Sequence, residues 1–157
     1  MRNKFFVLAL VLFLGACATT EPVSTMTPLE IQSMQTREFG QSKNVVFPSV
    51  MSVFQDLGYV VKSADKDTGL ITAESPAKSN QAMKFWLGVS DVSQTSATAF
   101  IETINKKTNV RLNFVTSSKQ SYGYGQSDRQ DTPVLDAEIY QNAFEKIENA
   151  IFVRASR

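Results

Sequence analysis

Residues 98–116 read TAFIETINKKTNVRLNFVT. Two runs with apolar alternation, TAFIETI and VRLNFVT, flank the turn-forming stretch Asn105-Lys106-Lys107-Thr108-Asn109, which is the pattern of an antiparallel hairpin. In the second run Val110, Leu112 and Phe114 alternate with Arg111, Asn113 and Val115. Successive strand residues point to opposite faces, so the first set is buried and the second mostly faces water. A sheet that is wet on one face needs a cover on the other, and the remaining sequence supplies helices for it.

The strongest helical signal follows Asp136, where Tyr140, Ala143, Phe144, Ile147 and Ile151 repeat on one stripe. Asp136 and Glu138 lie at its N-terminal end and Arg154 at its C-terminal end, the polarity that suits the helix dipole. A second stripe, Val46, Val50, Val53, Phe54 and Leu57, runs through SKNVVFPSVMSVFQDLG at residues 42–58. Ser42 or Asn44 is placed to cap this helix and Gly58 to stop it. Pro48 is expected in the first turn, so regular helix is expected over 48–57 after a looser start. QTREF at 35–39 is a short candidate strand. YVVKSA and LITAES form a first hairpin across Asp65-Lys66-Asp67-Thr68-Gly69, with Gly69 taking positive φ. Residues 117–133, SSKQSYGYGQSDRQDTP, read as a polar loop, and 76–94, PAKSNQAMKFWLGVSDVSQ, as an insertion. The order is strand, helix, four strands, helix. That predicts an α+β two-layer sandwich, an antiparallel sheet with two helices on one face.

This β-α-β4-α order resembles the TATA-binding-protein-like or helix-grip architecture. It also resembles the modules in lipoprotein component C of the bacterial barrel-assembly machine. QTREF, VFQDLGY and YQNAFEKIENAIF are similar to segments of a group of uncharacterised bacterial lipoproteins, across most of residues 35–153. These are packing motifs, and fold likeness does not carry function with it.

The N-terminus points to the cell envelope. Met1-Arg2-Asn3-Lys4 is basic, Phe5 to Leu14 is unbroken apolar sequence, and Gly15 and Ala16 precede the only cysteine, Cys17. A basic start, about ten apolar residues and a small-residue exit are the parts of a secretory signal peptide, and a membrane span needs about 20 apolar residues. Leu14-Gly15-Ala16-Cys17 resembles a bacterial lipobox, which implies cleavage before Cys17 and lipidation of that residue. Two or more acyl chains anchor stably where one does not. Ala18 in place of aspartate resembles passage to the outer membrane. The expected organisation is a cleaved signal peptide at 1–16, the lipidated cysteine with a flexible tether at 17–30, and one domain at 31–157.

Without residues 1–16 the chain loses two of its 16 basic residues and keeps 15 acidic ones, so its net charge is 14 − 15 = −1. A near-neutral domain has no electrostatic case for nucleic acid. The chain has no histidine, which removes the commonest general base and metal ligand. Asp65-Lys66-Asp67-Thr68-Gly69 faintly resembles a calcium loop, but its glycine comes one residue early and Pro76 stands where the bidentate glutamate belongs. Asp128, Asp131, Asp136 and Glu138 are a carboxylate cluster of the kind glycosidases use, and equally the acids that gather at a helix start. No catalytic residue, metal or cofactor is expected.

The candidate binding residues are Tyr122 and Tyr124 in the polar loop, with Phe85 and Trp86 in the insertion. Tyrosine is enriched at binding hot spots, although loop tyrosines also pack against sheets. The insertion reads as a short helix from Ser79 to Gly88, an edge strand or a core plug, and Trp86 as an interface or a buried residue. The expected function is that of a non-enzymatic lipoprotein on the outer membrane, facing the periplasm. It would be held there by lipid on Cys17 and act as an interaction or accessory module for an envelope protein partner. The alternatives are a binder of a small amphiphile between sheet and helices, and a glycan hydrolase.

Overall fold

A computed structural model describes residues 26–79, 90–122 and 126–156. In chain order these form α1 (Pro28–Gln35), β1 (Thr36–Phe39), α2 (Lys43–Asp56), β2 (Val60–Asp65), β3 (Leu70–Glu74), β4 (Lys78–Ser79), β5 (Ser90–Ile104), β6 (Lys107–Ser121), β7 (Ser127–Pro133) and α3 (Ala137–Ala155). The protein is an α+β sandwich. Its sheet is antiparallel throughout, in the order β1-β6-β5-β3-β2, with β4 added to β5 and β7 to β6.

The β5–β6 hairpin is the spine of the sheet. β5 and β6 pair without a break from Ile104↔Lys107 to Ser90↔Ser121. The connection is two residues, not five: Asn105 and Lys106 both take positive φ, at 50° and 67°. That is the turn whose twist matches the strands it joins, and its second position is the usual place for glycine. Lys106→Gly is therefore expected to stabilise the protein by about 0.5–1 kcal/mol, raising the thermal midpoint by a few degrees.

Both strands run well past their apolar residues. Ile71, Ala73, Ala97, Ala99, Ile101, Val110, Leu112 and Phe114 are buried under α2 and α3, which contribute Val46, Val50, Val53, Phe54, Tyr140, Phe144 and Ile147. Beyond Ala97 and Phe114 the hairpin continues mainly with serines, threonines and glutamines, with Val92 and Val115 the two apolar residues, flanked by β4 and β7. Residues 117–121 and 127–133, expected as loop, are therefore strand. Ser79, expected as a helix cap, is paired with Val92 in β4. Polar side chains on both faces hide the period of two, but they leave the backbone free to pair.

Two further expectations are corrected. A helix, α1, occupies Pro28–Gln35, partly within the expected tether and ahead of the expected domain start. Thr27 and Glu30 form a reciprocal capping box there, with Pro28 inside the first turn. The second helix starts at Lys43, five residues earlier than expected, because Val46 and Phe47 both reach the core. Pro48 sits within it and forgoes the bond its N–H would have donated to the Asn44 carbonyl. Ser42 holds the N-cap position without a side-chain bond. Gly58, at φ 85°, ends the helix as expected, and the Tyr59 and Gly58 N–H groups donate to Phe54 and Gln55 carbonyls in a Schellman arrangement. The described core runs from Phe39 to Ile151, so a chain beginning at Met26 carries it whole and is expected to fold.

Candidate functional site

Among the described residues the sheet face opposite α2 and α3 is open. Its rows follow from the pairing register: Thr36, Arg111, Phe100 and Leu70 stand side by side, and Asn113, Thr98 and Thr72 form the adjacent row. Phe100 is an apolar residue on the face that alternation gives to water. Val60, Leu70, Phe100, Ile104 and, beside them, Leu135 are 37–54 % exposed, so this face carries apolar area without a cover among the described residues.

A groove of about 430 Å³ lies on this face. Phe100, Thr98, Arg111 and Asn113 form its floor, Leu70 one side, and Ile31, Gln35, Pro133 and Leu135 the other. Its second wall exists because the edge of β6 changes partner. β1 pairs with β6 up to Arg111 and β7 pairs only from Val115, which leaves a gap between them. Gln35, at the end of α1, fills that gap and is itself buried.

A hydrogen-bond node closes the gap. The Tyr140 hydroxyl donates to the Val134 carbonyl at 2.9 Å and accepts from the Phe114 N–H at 3.3 Å. Gln35 Nε2 lies 3.4 Å from the Tyr140 hydroxyl and 3.5 Å from Asn113 Oδ1, to both of which it donates. Arg111 Nη2 donates to Gln35 Oε1 at 3.4 Å. Tyr140 thus ties the core helix to the wall of the groove. A half-buried Tyr59 lies on the core side of the same region, and burial raises its hydroxyl above the ordinary tyrosine value, with Tyr140 adding to the effect.

The groove is polar at one point and apolar elsewhere. Arg111 takes part in no ion pair among the described residues, and its one hydrogen bond goes to a neutral amide. Outside the described residues the sequence holds a single acid, Glu21. A more open groove of about 560 Å³ runs between α2 and α3, where Asp56, Lys146 and Arg154 mix both signs of charge. There Arg154 already donates to the Ser49 and Ser52 hydroxyls at 3.2 Å each, so this groove reads as the seam of two packed helices.

The sheet edges are poor templates for an added strand. β7 is exposed along its whole length but carries Asp128, Arg129, Asp131 and a terminal Pro133. β2 carries Lys62 at an irregularity between Val61 and Ser63. Charges, proline and bulges are the devices that keep edge strands from pairing.

The sequence candidates fare differently. Tyr122 is exposed beyond the far end of β6, its hydroxyl donating to Gln120 Oε1 at 2.7 Å, and it does not line the groove. Tyr124, Phe85, Trp86 and Cys17 lie outside the described residues. The acids near the last helix do not converge. Asp136 caps α3 by accepting the Glu138 N–H, and Asp131 pairs with Arg129 at 3.1 Å. Hydrogen bonds from Ser117 and Arg129 hold the Asp131 carboxyl below its ordinary value. Asp65 is likewise held low, by Thr68 and then the Asp67 and Thr68 N–H groups, in the turn that the calcium-like motif forms. No cluster of three metal-ligating side chains occurs among the described residues. No helix among them is long and apolar enough to cross a membrane.

The groove residues Ile31, Gln35, Arg111, Asn113 and Leu135 were not singled out by sequence reasoning. Two signals for them were available: the Thr27-Pro28-Leu29-Glu30 helix start, and Phe100 on the water-facing side of its strand.

No family model matches the chain, and no curated protein does. Among solved structures the chain is similar to a DUF4468 family protein from Bacteroides ovatus, at 10 % identity and a TM-score of 0.38, over 74 % of this chain and 84 % of that one.

Proposed function

We propose that the protein is a non-enzymatic lipoprotein of the bacterial envelope, anchored to the outer membrane through Cys17 and facing the periplasm. In this reading it serves as an accessory module that works by binding an envelope protein through the sheet face opposite α2 and α3. The observation that carries it is that face itself: among the described residues Val60, Leu70, Phe100 and Ile104 stand open on a sheet whose other side packs against α2 and α3. Apolar area held rigidly and left uncovered marks a binding surface. The lipobox resemblance at Leu14-Gly15-Ala16-Cys17 supplies the anchor.

Expression of the full chain in a diderm host with an alkyne-labelled palmitate tests the anchor. The label and the protein are expected together in the outer-membrane fraction, and Cys17→Ser is expected to lose the label. An unlabelled wild-type protein in the soluble periplasmic fraction would contradict the proposal.

A second reading, a binder of small amphiphiles, is favoured by one observation. Ile31, Leu70, Phe100, Pro133 and Leu135 give the groove a mostly apolar lining on the sheet face opposite α2 and α3. Between sheet and helices, where such a site was expected, the described residues leave a smaller cavity of about 240 Å³ lined by Leu57, Tyr59, Phe114, Ile139, Asn142 and Ala143.

A further inference from the structure

We infer that the groove takes a single-chain amphiphile with an anionic oxyacid head, a carboxylate or a phosphate monoester, with Arg111 as the group that holds the head. The inference rests on the reading that the sheet face opposite α2 and α3 is the binding face, and it assigns that face a ligand chemistry. Three observations carry it.

The first is the charge. Arg111 is an exposed guanidinium with no carboxylate partner among the described residues, and a single 3.4 Å bond to the Gln35 amide uses one of its five N–H donors. Glu102, on the same face in the next row, pairs in register with Asn109 and forms no ion pair with Arg111. The second is the neighbourhood. Thr98 and Asn113 stand beside Arg111 on the floor, and neither the Thr98 hydroxyl nor the Asn113 amide nitrogen is engaged in a hydrogen bond among the described residues. An amide N–H₂ and a hydroxyl next to a guanidinium fork offer donors to an oxyanion, whose paired oxygens match that fork. The third is the rest of the lining. Phe100 and Leu70 continue the row of Arg111, and Leu135 and Ile31 face them from the opposite wall, so an apolar tail lies along side chains and not in water. A volume of about 430 Å³ falls in the range of small-ligand sites and suits one chain better than a two-chain lipid.

The test is calorimetric titration of the chain from residue 26 to 157 with four ten-carbon probes below their micellar concentrations: decanoate, decyl phosphate, decanol and decyltrimethylammonium. The expected result is saturable one-to-one binding of decanoate, decyl phosphate or both, at least tenfold tighter than decyltrimethylammonium. Arg111→Gln is expected to weaken the anion about 10- to 100-fold and to leave decanol within twofold. The tighter of the two anions tells a fatty-acid source from a phosphate source. Equal affinity for the cation, an anion affinity unchanged in Arg111→Gln, or no saturable binding of either anion would each overturn the inference. The cation comparison uses the unaltered chain, so it stands even if the variant folds poorly. If neither anion binds while a photoreactive residue at position 100 still captures a neighbour in cells, the ligand assignment fails and the binding face stands. Failure of both removes both.

Discussion

A Gly69→Ala chain is expected to lose about 3 kcal/mol or more of stability, read as a fall in the urea midpoint at constant slope. Gly69 ends the turn of the first hairpin at φ 81°, a conformation that L side chains avoid. A Cβ there would lie 1.9 Å from the carbonyl oxygen of Ile101. Retreat is blocked because the Gly69 carbonyl accepts the Ile101 N–H at 2.9 Å, so relief of the clash breaks the joint between the β2–β3 hairpin and β5. Gly58 provides the control. Its φ is 85°, but nothing lies within 4 Å of the Cβ position, so Gly58→Ala is expected to cost only about 1 kcal/mol. The difference between the two variants isolates the steric contact from the backbone conformation. Equal losses would show that the Gly69–Ile101 contact is softer than described.

Phe114→Ala is expected to cost about 3–5 kcal/mol, a large part of the stability of a domain this size. Phe114 is buried at the centre of the aromatic cluster, with ring centroids 5.2 Å from Tyr140, 6.1 Å from Tyr59 and 6.3 Å from Phe54. It therefore joins β6 to α2, α3 and the start of β2, and its removal leaves a cavity that rigid neighbours on three elements cannot close. Its backbone is also part of the node that positions Gln35, since its N–H donates to Tyr140 and its carbonyl accepts the Val134 N–H at 2.9 Å. Phe114→Leu keeps most of the volume and is expected to cost less than half as much. A loss below 2 kcal/mol for the alanine variant would mean that the cluster rearranges to fill the space.

What could be read in the sequence was what periodicity reports. Tyr140, Ala143, Phe144, Ile147 and Ile151 declare α3 because a helix that covers a sheet must keep one apolar stripe, and Val110, Leu112 and Phe114 declare the buried face of β6 for the same reason. The far halves of β5 and β6 gave no such signal. Ser93, Gln94, Thr95, Thr116, Ser117 and Ser118 are polar on both faces, and their strand conformation is set by ladder bonds and contacts such as Thr95 Oγ1 to Thr116 Oγ1 at 3.3 Å. Threonine and proline content made Thr27 and Pro28 look like tether, although the same residues with Glu30 make a capping box. Pro48 illustrates a local rule overridden, because burying Val46 and Phe47 is worth more than one helix bond.

The groove was illegible for a further reason. Gln35 meets Arg111 across 76 positions and Asn113 across 78, so no local spacing marks the site. Its residues come together only through the gap that β1 and β7 leave along β6.

Photocrosslinking in cells shows whether the protein works through the sheet face opposite α2 and α3. A photoreactive residue replaces Phe100 on that face in one full-length chain and the exposed Phe152, at the far end of α3, in another. The predicted result is a discrete adduct from position 100 and none above background from position 152, with the mass of the adduct telling an envelope protein from a small amphiphile. Silence at position 100 with a discrete adduct at position 152 would contradict the claim and move the working surface to the helices.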